Sequence, residues 1–272
     1  MSQSSHQFPV LEARSLTLAY QKFPILKDLD LSIVGKRITT LVGQNGCGKS
    51  TLLSGLSRLL SPQNGSVFLN GTSIHSLSTR TVAKQLGVLP QSPAYPEGIT
   101  VKSLVALGRY PRQNWLQSWS QEDEEMVNQA LHTTRLHDLS DYQLDNLSGG
   151  QRQRAWIAMA LAQDTPTLLL DEPTTYLDIA HQIEILDLLK ELNEDCERTI
   201  VMVLHDLNLA CRYSNIIVAL KEGAIVAQGP PKDIIIPTLI EQIFDISCSI
   251  LNDPETGLPI CIPRGRNPNL YP

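Results

Sequence analysis

The sequence predicts an α/β fold that combines a parallel sheet, a small antiparallel β part and an inserted helical subdomain. Runs rich in apolar residues at 38–42, 168–170 and 200–204 are typical of strands buried on both faces of a parallel sheet, and we expect helices on both of those faces. Alternating apolar residues before position 34 indicate antiparallel strands. From about 92 to 165, apolar residues recur at helical spacing and no strand candidate interrupts them.

Local signals place the individual elements along the chain. The pair Ser120 and Asp123 has the spacing of a capping box at a helix start. In chain order, the predicted strands lie at 16–20, 29–33, 38–42, 66–69, 86–89, 168–170, 200–204, 216–220 and 225–228. The predicted helices lie at 52–60, 78–85, from 100, from 120, 151–163, 179–192 and 239–244. Residues 1–7 are polar and expected to be frayed.

Composition limits the class of protein and its partners. The chain has 272 residues, of which 42% are hydrophobic and 18% are charged, which is typical of one large globular domain or a domain with an insertion. A net charge of −6 without a basic block argues against nucleic acid as the main partner. No apolar run is long enough to span a membrane and no signal peptide is apparent, so a cytosolic location is expected. The five cysteines contain no C-x₂-C pair, which favours reduced, structural thiols.

One segment matches the phosphate-binding pattern G-x-x-x-x-G-K-[ST] between a predicted strand and a predicted helix. Glycines in such a loop adopt positive φ, so that successive N–H groups face phosphate oxygens, and the helix N-terminus adds positive charge. The pattern predicts that Lys49 reaches the β- and γ-phosphates and that Ser50 ligates Mg²⁺. The segment consists of Gly43, Gln44, Asn45, Gly46, Cys47, Gly48, Lys49, Ser50 and Thr51. Cys47 is either a simple small side chain or a thiol that makes the site sensitive to alkylation.

Two further groups of polar residues accompany this loop. Asp171 and Glu172 end a buried strand, at the edge where ligands bind in α/β sheets, and Gln91 follows another strand. The segment Ser148, Gly149, Gly150 and Gln151 opens a helix, which is either a plain cap or a second anion-binding N-terminus. One chain seldom needs two phosphate-binding segments. The sequence therefore predicts a symmetric dimer in which each ATP lies between the loop of one copy and this segment of the other.

The ordered set of motifs GQNGCGKST, Gln91, LSGGQ, LLLDEP, the pair Leu177 and Asp178, and His205 resembles the ATPase subunit of ATP-binding-cassette (ABC) transporters, up to about Gly229. The resemblance implies a P-loop NTPase fold that hydrolyses ATP with Mg²⁺ between two copies. It also implies roles for individual residues. Lys49 and the loop amides bind the phosphates, and Ser50, Gln91 and Asp171 bind Mg²⁺. Glu172 polarises the water, His205 contacts the γ-phosphate, Tyr20 stacks on the adenine, and Asp178 lies at the interface between the copies. For Tyr20, an ordinary core or edge position is the alternative.

A narrower resemblance concerns the cargo. The stretches LPQSPAYPEGITV, ALGRYPRQ and HDLNLACRYSN are similar to the ATPases of bacterial ferric-siderophore importers, with ferric enterobactin systems nearest in appearance. This implies membrane permease partners, an indirect periplasmic or surface substrate-binding protein, and a peripheral position on the cytoplasmic face of the bacterial inner membrane. Vitamin B12 and haem importers share the architecture. A soluble translation or DNA-repair ABC protein and a non-hydrolysing nucleotide-binding scaffold are the alternatives from other classes.

The expected domain organisation follows from these motifs. Residues 1–91 and 166–230 form the nucleotide-binding core, part of one ABC domain at about 8–240, with 92–165 as the inserted helical subdomain and 231–272 as a C-terminal extension. We expect residues 91–108 to join the two parts. Their apolar members either shape a groove for a permease helix or fill the core of the insertion; these members are Ile99, Val101, Leu104 and Val105.

Overall fold

The computed structural model describes residues 9–91, 93–113 and 119–264. The chain forms two compact units, one made of Met1–Ser76 and Val201–Pro272 and the other of Leu77–Ile200. These units differ from the division expected from the sequence, whose boundaries stay a prediction. The expectation of a frayed end at residues 1–7 lies outside the described residues.

The described strands and helices agree in order with the sequence prediction and add several elements to it. The strands are β1 (Pro9–Tyr20), β2 (Phe23–Val34), β3 (Ile38–Gly43), β4 (Asn64–Leu69), β5 (Thr72–Ser73), β6 (Leu86–Leu89), β7 (Thr167–Leu170), β8 (Thr199–Val203), β9 (Ile216–Lys221), β10 (Ala224–Gly229), β11 (Cys248–Asn252) and β12 (Pro259–Pro263). The helices are α1 (Lys49–Leu56), α2 (Thr79–Ala83), α3 (Val101–Leu107), α4 (Gln121–Thr133), α5 (Gly149–Ala162), α6 (Ile179–Cys196), α7 (Leu207–Tyr213), α8 (Pro231–Ile234) and α9 (Pro237–Phe244).

The first unit contains the antiparallel part. Its strands follow the order β2-β1-β4-β5, and β1 pairs with β2 so that Leu16 lies opposite Leu29 and Leu18 opposite Leu26. All four side chains are buried. The alternation of apolar and polar residues in this part of the sequence therefore predicted both the strands and the face that they bury.

The same unit carries the strand that leads into the phosphate loop. Every residue of β3 is buried, as expected for a strand covered on both faces. It pairs in parallel with β9, with Gly43 opposite Leu220, while β9 and β10 form the predicted antiparallel hairpin. On its other side β3 neighbours β8. The carboxyl ends of β3 and β9 thus meet at one edge, where the phosphate loop begins.

The C-terminal part of this unit contains a hairpin that the sequence analysis did not predict. Strands β11 and β12 pair antiparallel, with Ile250 opposite Cys261. The backbone of Cys261 exchanges two hydrogen bonds with the amide side chain of Asn208 on α7, at 2.8 and 3.3 Å. Burial raises the pKa of the Cys261 thiol to about 12, and the neighbouring thiols of Cys248 and Cys211 add to the shift.

All five cysteines are reduced, as the sequence predicted. Four of them are buried, and Cys196 at the end of α6 is exposed. Burial raises the pKa of Cys211 to about 12 and also raises the pKa of Cys47, although the nearby Lys49 charge opposes the shift at Cys47. Because the thiolate is the reactive form, the raised pKa slows alkylation of Cys47, and the sensitivity of the site to alkylation stays a prediction.

The second unit is mainly helical around a parallel strand pair. Strands β6 and β7 run in parallel register, with Leu89 opposite Leu170. Helix α4 begins with the predicted capping box, in which Ser120 and Asp123 exchange hydrogen bonds. None of the described helices combines the length and the apolar character needed to cross a bilayer.

The three predicted groove residues that lie on α3 do not form an exposed permease groove. Val101, Leu104 and Val105 are at most 1% exposed, so they fill the core of the helical part, which was the alternative prediction. Arg109 is also buried, where it donates hydrogen bonds to the Asp123 carboxylate at 2.8 Å and to the carbonyl of Ala162 at 2.9 Å. Helical spacing alone could not separate a core-filling face from an exposed groove, because both need apolar residues at the same intervals.

Candidate nucleotide site

The phosphate loop has the backbone geometry that its sequence predicts. Gly43, Gly46 and Gly48 all have positive φ, at 149°, 78° and 106°. A Cβ atom at position 43 would lie 2.2 Å from the carbonyl oxygen of Leu220, so the close approach of two strands also excludes a side chain there. Gly48 is the N-cap of α1, which places the loop directly at a helix N-terminus. The loop is thus a concave set of N–H donors at the positive end of a helix.

Lys49 is the side-chain cation of this loop. It is only 5% exposed, and its Nζ donates hydrogen bonds to the carbonyl oxygens of Gly43 and Gln44, both at 2.9 Å. An ammonium group has three N–H donors, so these two bonds still allow one bond to a phosphate oxygen. The loop therefore holds its own cation in place while the glycines keep space for a ligand.

Two other predicted residues of the same unit lie at the ends of strands. Tyr20 ends β1 opposite Phe23, and the two side chains are 53% and 73% exposed. His205 is exposed two residues after the end of β8, and Asp206 caps α7 by accepting hydrogen bonds from the backbone N–H groups of Asn208 and Leu209. Adenine stacking by Tyr20 and phosphate contact by His205 stay predictions.

In the second unit, the structure brings together Gln91 and Glu172. The Gln91 Nε2 donates to Glu172 Oε2 at 2.6 Å, and the Thr175 hydroxyl donates to the same oxygen at 2.9 Å. Glu172 has a φ of 52°, an uncommon conformation for a side chain of this size. Its neighbour Asp171 is 9% exposed, and its amide donates to the carbonyl of Leu89 at 2.9 Å. The Glu172 carboxylate and the Gln91 amide thus meet at the carboxyl ends of β6 and β7, with Asp171 adjacent in the sequence.

The segment that opens α5 is a capping box. The Ser148 hydroxyl accepts from the Gln151 amide at 3.2 Å, and the Gln151 side chain accepts from the Ser148 amide at 3.0 Å. This confirms the capping alternative without testing anion binding. A Cβ atom at Gly150 would lie 2.6 Å from the ring of His181, whereas one at Gly149 would have its nearest neighbour, a Leu177 methyl carbon, at 3.7 Å.

Asp178 caps α6 and is hydrogen-bonded to His181. Its Oδ1 accepts from the His181 amide at 2.9 Å and lies 2.7 Å from His181 Nδ1. Hydrogen bonds from the His181 backbone and then from its side chain lower the pKa of Asp178, so the group is a carboxylate at neutral pH. His181 therefore connects Asp178 with the start of α5.

The packing of His181 against α5 gives a stability prediction. We expect Gly150→Ala to lower the free energy of unfolding by about 1–3 kcal/mol, because the added methyl group forces the imidazole or the helix to shift. Gly149→Ala is the matched control, and it should leave stability unchanged or raise it by up to about 1 kcal/mol through helix propensity. Urea unfolding of both variants measures the difference. Equal stabilities would contradict the close packing of Gly150.

Sequence reasoning missed three residues that hold these groups. Thr175, which follows Glu172 by three residues, contacts the Glu172 carboxylate, and His181 contacts Asp178. Asp245 contacts Gln44 of the phosphate loop at 2.8 Å. The capping role of Asp178 was readable from an Asp directly before an apolar helix pattern. No local signal connects Asp245 with Gln44.

A family model described as ABC transporter matches residues 26–175, more than half of the chain. The chain belongs to the ABC transporter family. Membership makes this ABC protein an ATPase whose activity is coupled to transport, in agreement with the resemblance seen in its motifs. The alternative of a non-hydrolysing nucleotide-binding scaffold is therefore not supported.

Two curated relatives match this ABC ATPase over almost its whole length. It is 56% identical over 256 residues to the probable siderophore transport system ATP-binding protein YusV of Bacillus subtilis (strain 168), covering 94% of this chain and 93% of that protein. It is 50% identical over 256 residues to the ferric enterobactin transport ATP-binding protein FepC of Escherichia coli (strain K12), covering 94% of both.

Solved structures of ABC proteins share the fold. A metal-chelate type ABC transporter in an inward-facing conformation has a TM-score of 0.82 and 28% identity, covering 95% of this chain and 98% of that chain. The dimeric bacterial ABC transporter cassette MJ0796 has a TM-score of 0.73 and 29% identity, covering 81% of this chain and 98% of that chain.

Proposed function

We propose that this ABC ATPase is the motor subunit of a bacterial importer that takes up a ferric siderophore. The observation that carries the proposal is its 56% and 50% identity to siderophore and ferric enterobactin transport ATP-binding proteins, over 94% of the chain. The cargo assignment rests on this similarity, because no residue of an ATPase subunit needs to touch the transported molecule.

The phosphate loop binds the nucleotide in this proposal. Its N–H groups and Lys49 hold the phosphates, while the exposed ring of Tyr20 stacks on the adenine. The hydroxyl of Ser50, the amide of Gln91 and the carboxylate of Asp171 are the residues that would hold Mg²⁺. Hydroxyl, amide and carboxylate oxygens are the donor types that this ion takes in proteins, so the residues fit it. Bound Mg²⁺ supplies charge neutralisation at the β- and γ-phosphates.

Glu172 orients the attacking water and accepts a hydrogen bond from it. The hydrogen bonds from Gln91 and Thr175 to Oε2 fix the orientation of the carboxylate that binds the water. His205 donates a hydrogen bond to the γ-phosphate. These groups act through position and charge, which is the main source of catalysis in phosphoryl transfer.

A second copy completes each nucleotide site. The proposal assigns Ser148, Gly149, Gly150 and Gln151 of one copy to the ATP that is held by the loop of the other, with Asp178 at the interface. The relative MJ0796 is dimeric, which supports a two-copy assembly. ATP binding then shifts the population towards a closed dimer, and hydrolysis with product release reopens it.

Ser148→Arg is expected to block this closure. ATP should still bind to the loop of the same copy, but cooperative hydrolysis should vanish because the larger, charged side chain occupies the position of the partner's nucleotide. Ser120→Arg is the matched control, since Ser120 is also an N-cap in a capping box and its loss costs a similar amount, about 1 kcal/mol. ATPase rates at increasing protein concentration measure the effect. If both variants hydrolyse ATP equally fast, Ser148 has no role at the interface.

Membrane permease subunits are the other partners in the proposal, with a substrate-binding protein acting on them from outside. The ATPase then lies peripherally on the cytoplasmic face of the inner membrane. Leu107, the last residue of α3, and Tyr110 after it are 51% and 78% exposed, so we expect Tyr110→Cys to be an accessible position for cross-linking to the permease.

Copurification with membrane partners tests the function. Affinity purification of the tagged chain from solubilised membranes of iron-starved cells should yield a permease, and a ferric siderophore with its binding protein should stimulate ATP hydrolysis by that complex. Stimulation by cobalamin or haem instead would contradict the siderophore assignment. Recovery without any membrane protein, from cells that express the permease, would contradict the transporter role.

A further inference from the structure

A contact in the first unit joins the C-terminal part of the chain to the phosphate loop. The Gln44 Nε2 donates to Asp245 Oδ2 at 2.8 Å, across 201 positions of sequence. Asp245 directly follows α9 as its C-cap residue, and Gln44 is the second residue of the loop. The loop is therefore held by a helix that lies outside the motifs that define the nucleotide site.

A lysine on the strand beside the loop fixes this carboxylate. Lys221 ends β9, whose Leu220 is paired with Gly43, and its Nζ donates to Asp245 Oδ1 at 2.8 Å. The same ammonium group donates to the carbonyl oxygen of Gln242 in the last turn of α9 at 2.7 Å. We call these four residues, Gln44, Lys221, Gln242 and Asp245, the α9 bridge.

The α9 bridge holds the side chain of Gln44, while hydrogen bonds within the loop hold its backbone. The carbonyl oxygen of Gln44 accepts from Lys49 Nζ at 2.9 Å and from the Cys47 amide at 3.3 Å. The orientation of this peptide group decides where the neighbouring N–H donors and the Lys49 ammonium point. Binding costs less free energy when such groups are already fixed in the binding geometry.

We propose that Asp245 is a positioning residue for the phosphate loop and that, through it, the C-terminal extension raises the affinity of the site for MgATP. Asp245 does not touch the nucleotide; it acts through Gln44. This inference rests on the proposed binding of phosphate by residues 43–51. The motifs do not define a role for the C-terminal extension. The inference gives it an effect on MgATP binding, the first step of the ATPase cycle.

The size of the effect follows from the exposure of the contact. Hydrogen bonds to charged groups can change an equilibrium by about 10-fold or more, but the side chain of Asp245 is 64% exposed and solvent weakens its bonds. We therefore expect loss of the contact to weaken MgATP binding by about three- to tenfold. The maximal rate of hydrolysis should change less, because the groups at Glu172 are untouched.

Asp245→Gly is the variant of choice. Asp245 has a φ of 55°, which Gly adopts without strain, so the substitution removes the carboxylate and keeps the backbone. Glu197→Gly is the matched control, because Glu197 is the acidic C-cap of α6 with a φ of 51°. Titration of the full-length chain with a fluorescent ATP analogue and Mg²⁺ gives the affinity, and steady-state ATPase assays of the same proteins separate KM from kcat.

A merely structural role would lower the melting temperature without moving the affinity of the folded chain. The positioning role predicts about a three- to tenfold rise in the Kd and KM of Asp245→Gly alone. It also predicts that Gln44→Ala and Asp245→Gly combined weaken binding by less than the product of their separate effects. An unchanged Kd, an equal change in Glu197→Gly, or multiplying effects in the double variant would overturn the inference.

The failure of this inference can be distinguished from failure of the nucleotide site itself. Lys49→Ala, measured in the same titration, removes the main cation of the loop. If Lys49→Ala loses affinity while Asp245→Gly keeps it, the nucleotide site stands and the positioning role is wrong. If Lys49→Ala binds MgATP as the unmodified chain does, the loop is not the nucleotide site and both proposals fall.

Discussion

Glu172→Gln is expected to slow ATP hydrolysis by roughly 10²–10⁴-fold while MgATP binding persists. The substitution removes the negative charge and the basicity that orient and polarise water. The amide oxygen of Gln matches Oε2 in shape and can accept the hydrogen bonds from Gln91 and Thr175 in its place. The loss should therefore reflect chemistry and leave the local structure intact.

Because ATP then stays intact, the closed dimer should accumulate. The Glu172→Gln chain should elute as a dimer in size-exclusion chromatography with MgATP and as a monomer without it. Glu194→Gln is the control for removing a carboxylate from the same unit, since the Glu194 side chain is 63% exposed on α6. Hydrolysis by Glu172→Gln at a rate near that of Glu194→Gln, with or without the permease, would show that the assigned mechanism is wrong.

Lys49→Ala is expected to weaken MgATP binding by roughly 10²-fold, because it removes a charge-assisted contact to the phosphates. The structure adds a second reason. Lys49 is buried and bonded to the carbonyls of Gly43 and Gln44, so its loss also releases the backbone of the loop. Calorimetric titration with MgATP measures the affinity.

The control for this substitution is Lys190→Ala, which removes a lysine that is 48% exposed on α6. Its affinity for MgATP should equal that of the unmodified chain. A comparable affinity in Lys49→Ala and Lys190→Ala would exclude Lys49 from the phosphate site.

Most of the fold could be predicted because the chain carries strong local signals. Apolar runs marked β3, β7 and β8, and alternation marked β1 and β2. The hairpin of β11 and β12 was missed for a physical reason. Its second strand begins at Pro259 and ends at Pro263, and proline argues against a strand unless it lies at an end or an edge of the sheet, which sequence alone does not reveal. Helix α7 was missed although Asp206, its N-cap, was a readable signal.

The candidate site was predictable where residues are close in sequence and not where they are distant. The positive φ of Gly43 and Gly48 follows from the loop motif, and the position of Glu172 follows from the strand before it. The contact between Gln44 and Asp245 depends on how α9 packs beside β9, which no spacing encodes. The same limit explains why the apolar residues of α3 could not be assigned to a core or a groove before their burial was known.

The exposure of the thiols predicts that maleimide probes label the unmodified chain selectively at one cysteine. Cys196 is the exposed member of the five, whereas Cys211 and Cys261 are buried with pKa values raised to about 12, and Cys47 and Cys248 are also buried. Maleimides react with thiolates, so a fluorophore or spin label should attach first at the end of α6. A single Cys196→Ser substitution would then give a background in which an introduced surface cysteine carries the label, without replacement of any buried thiol.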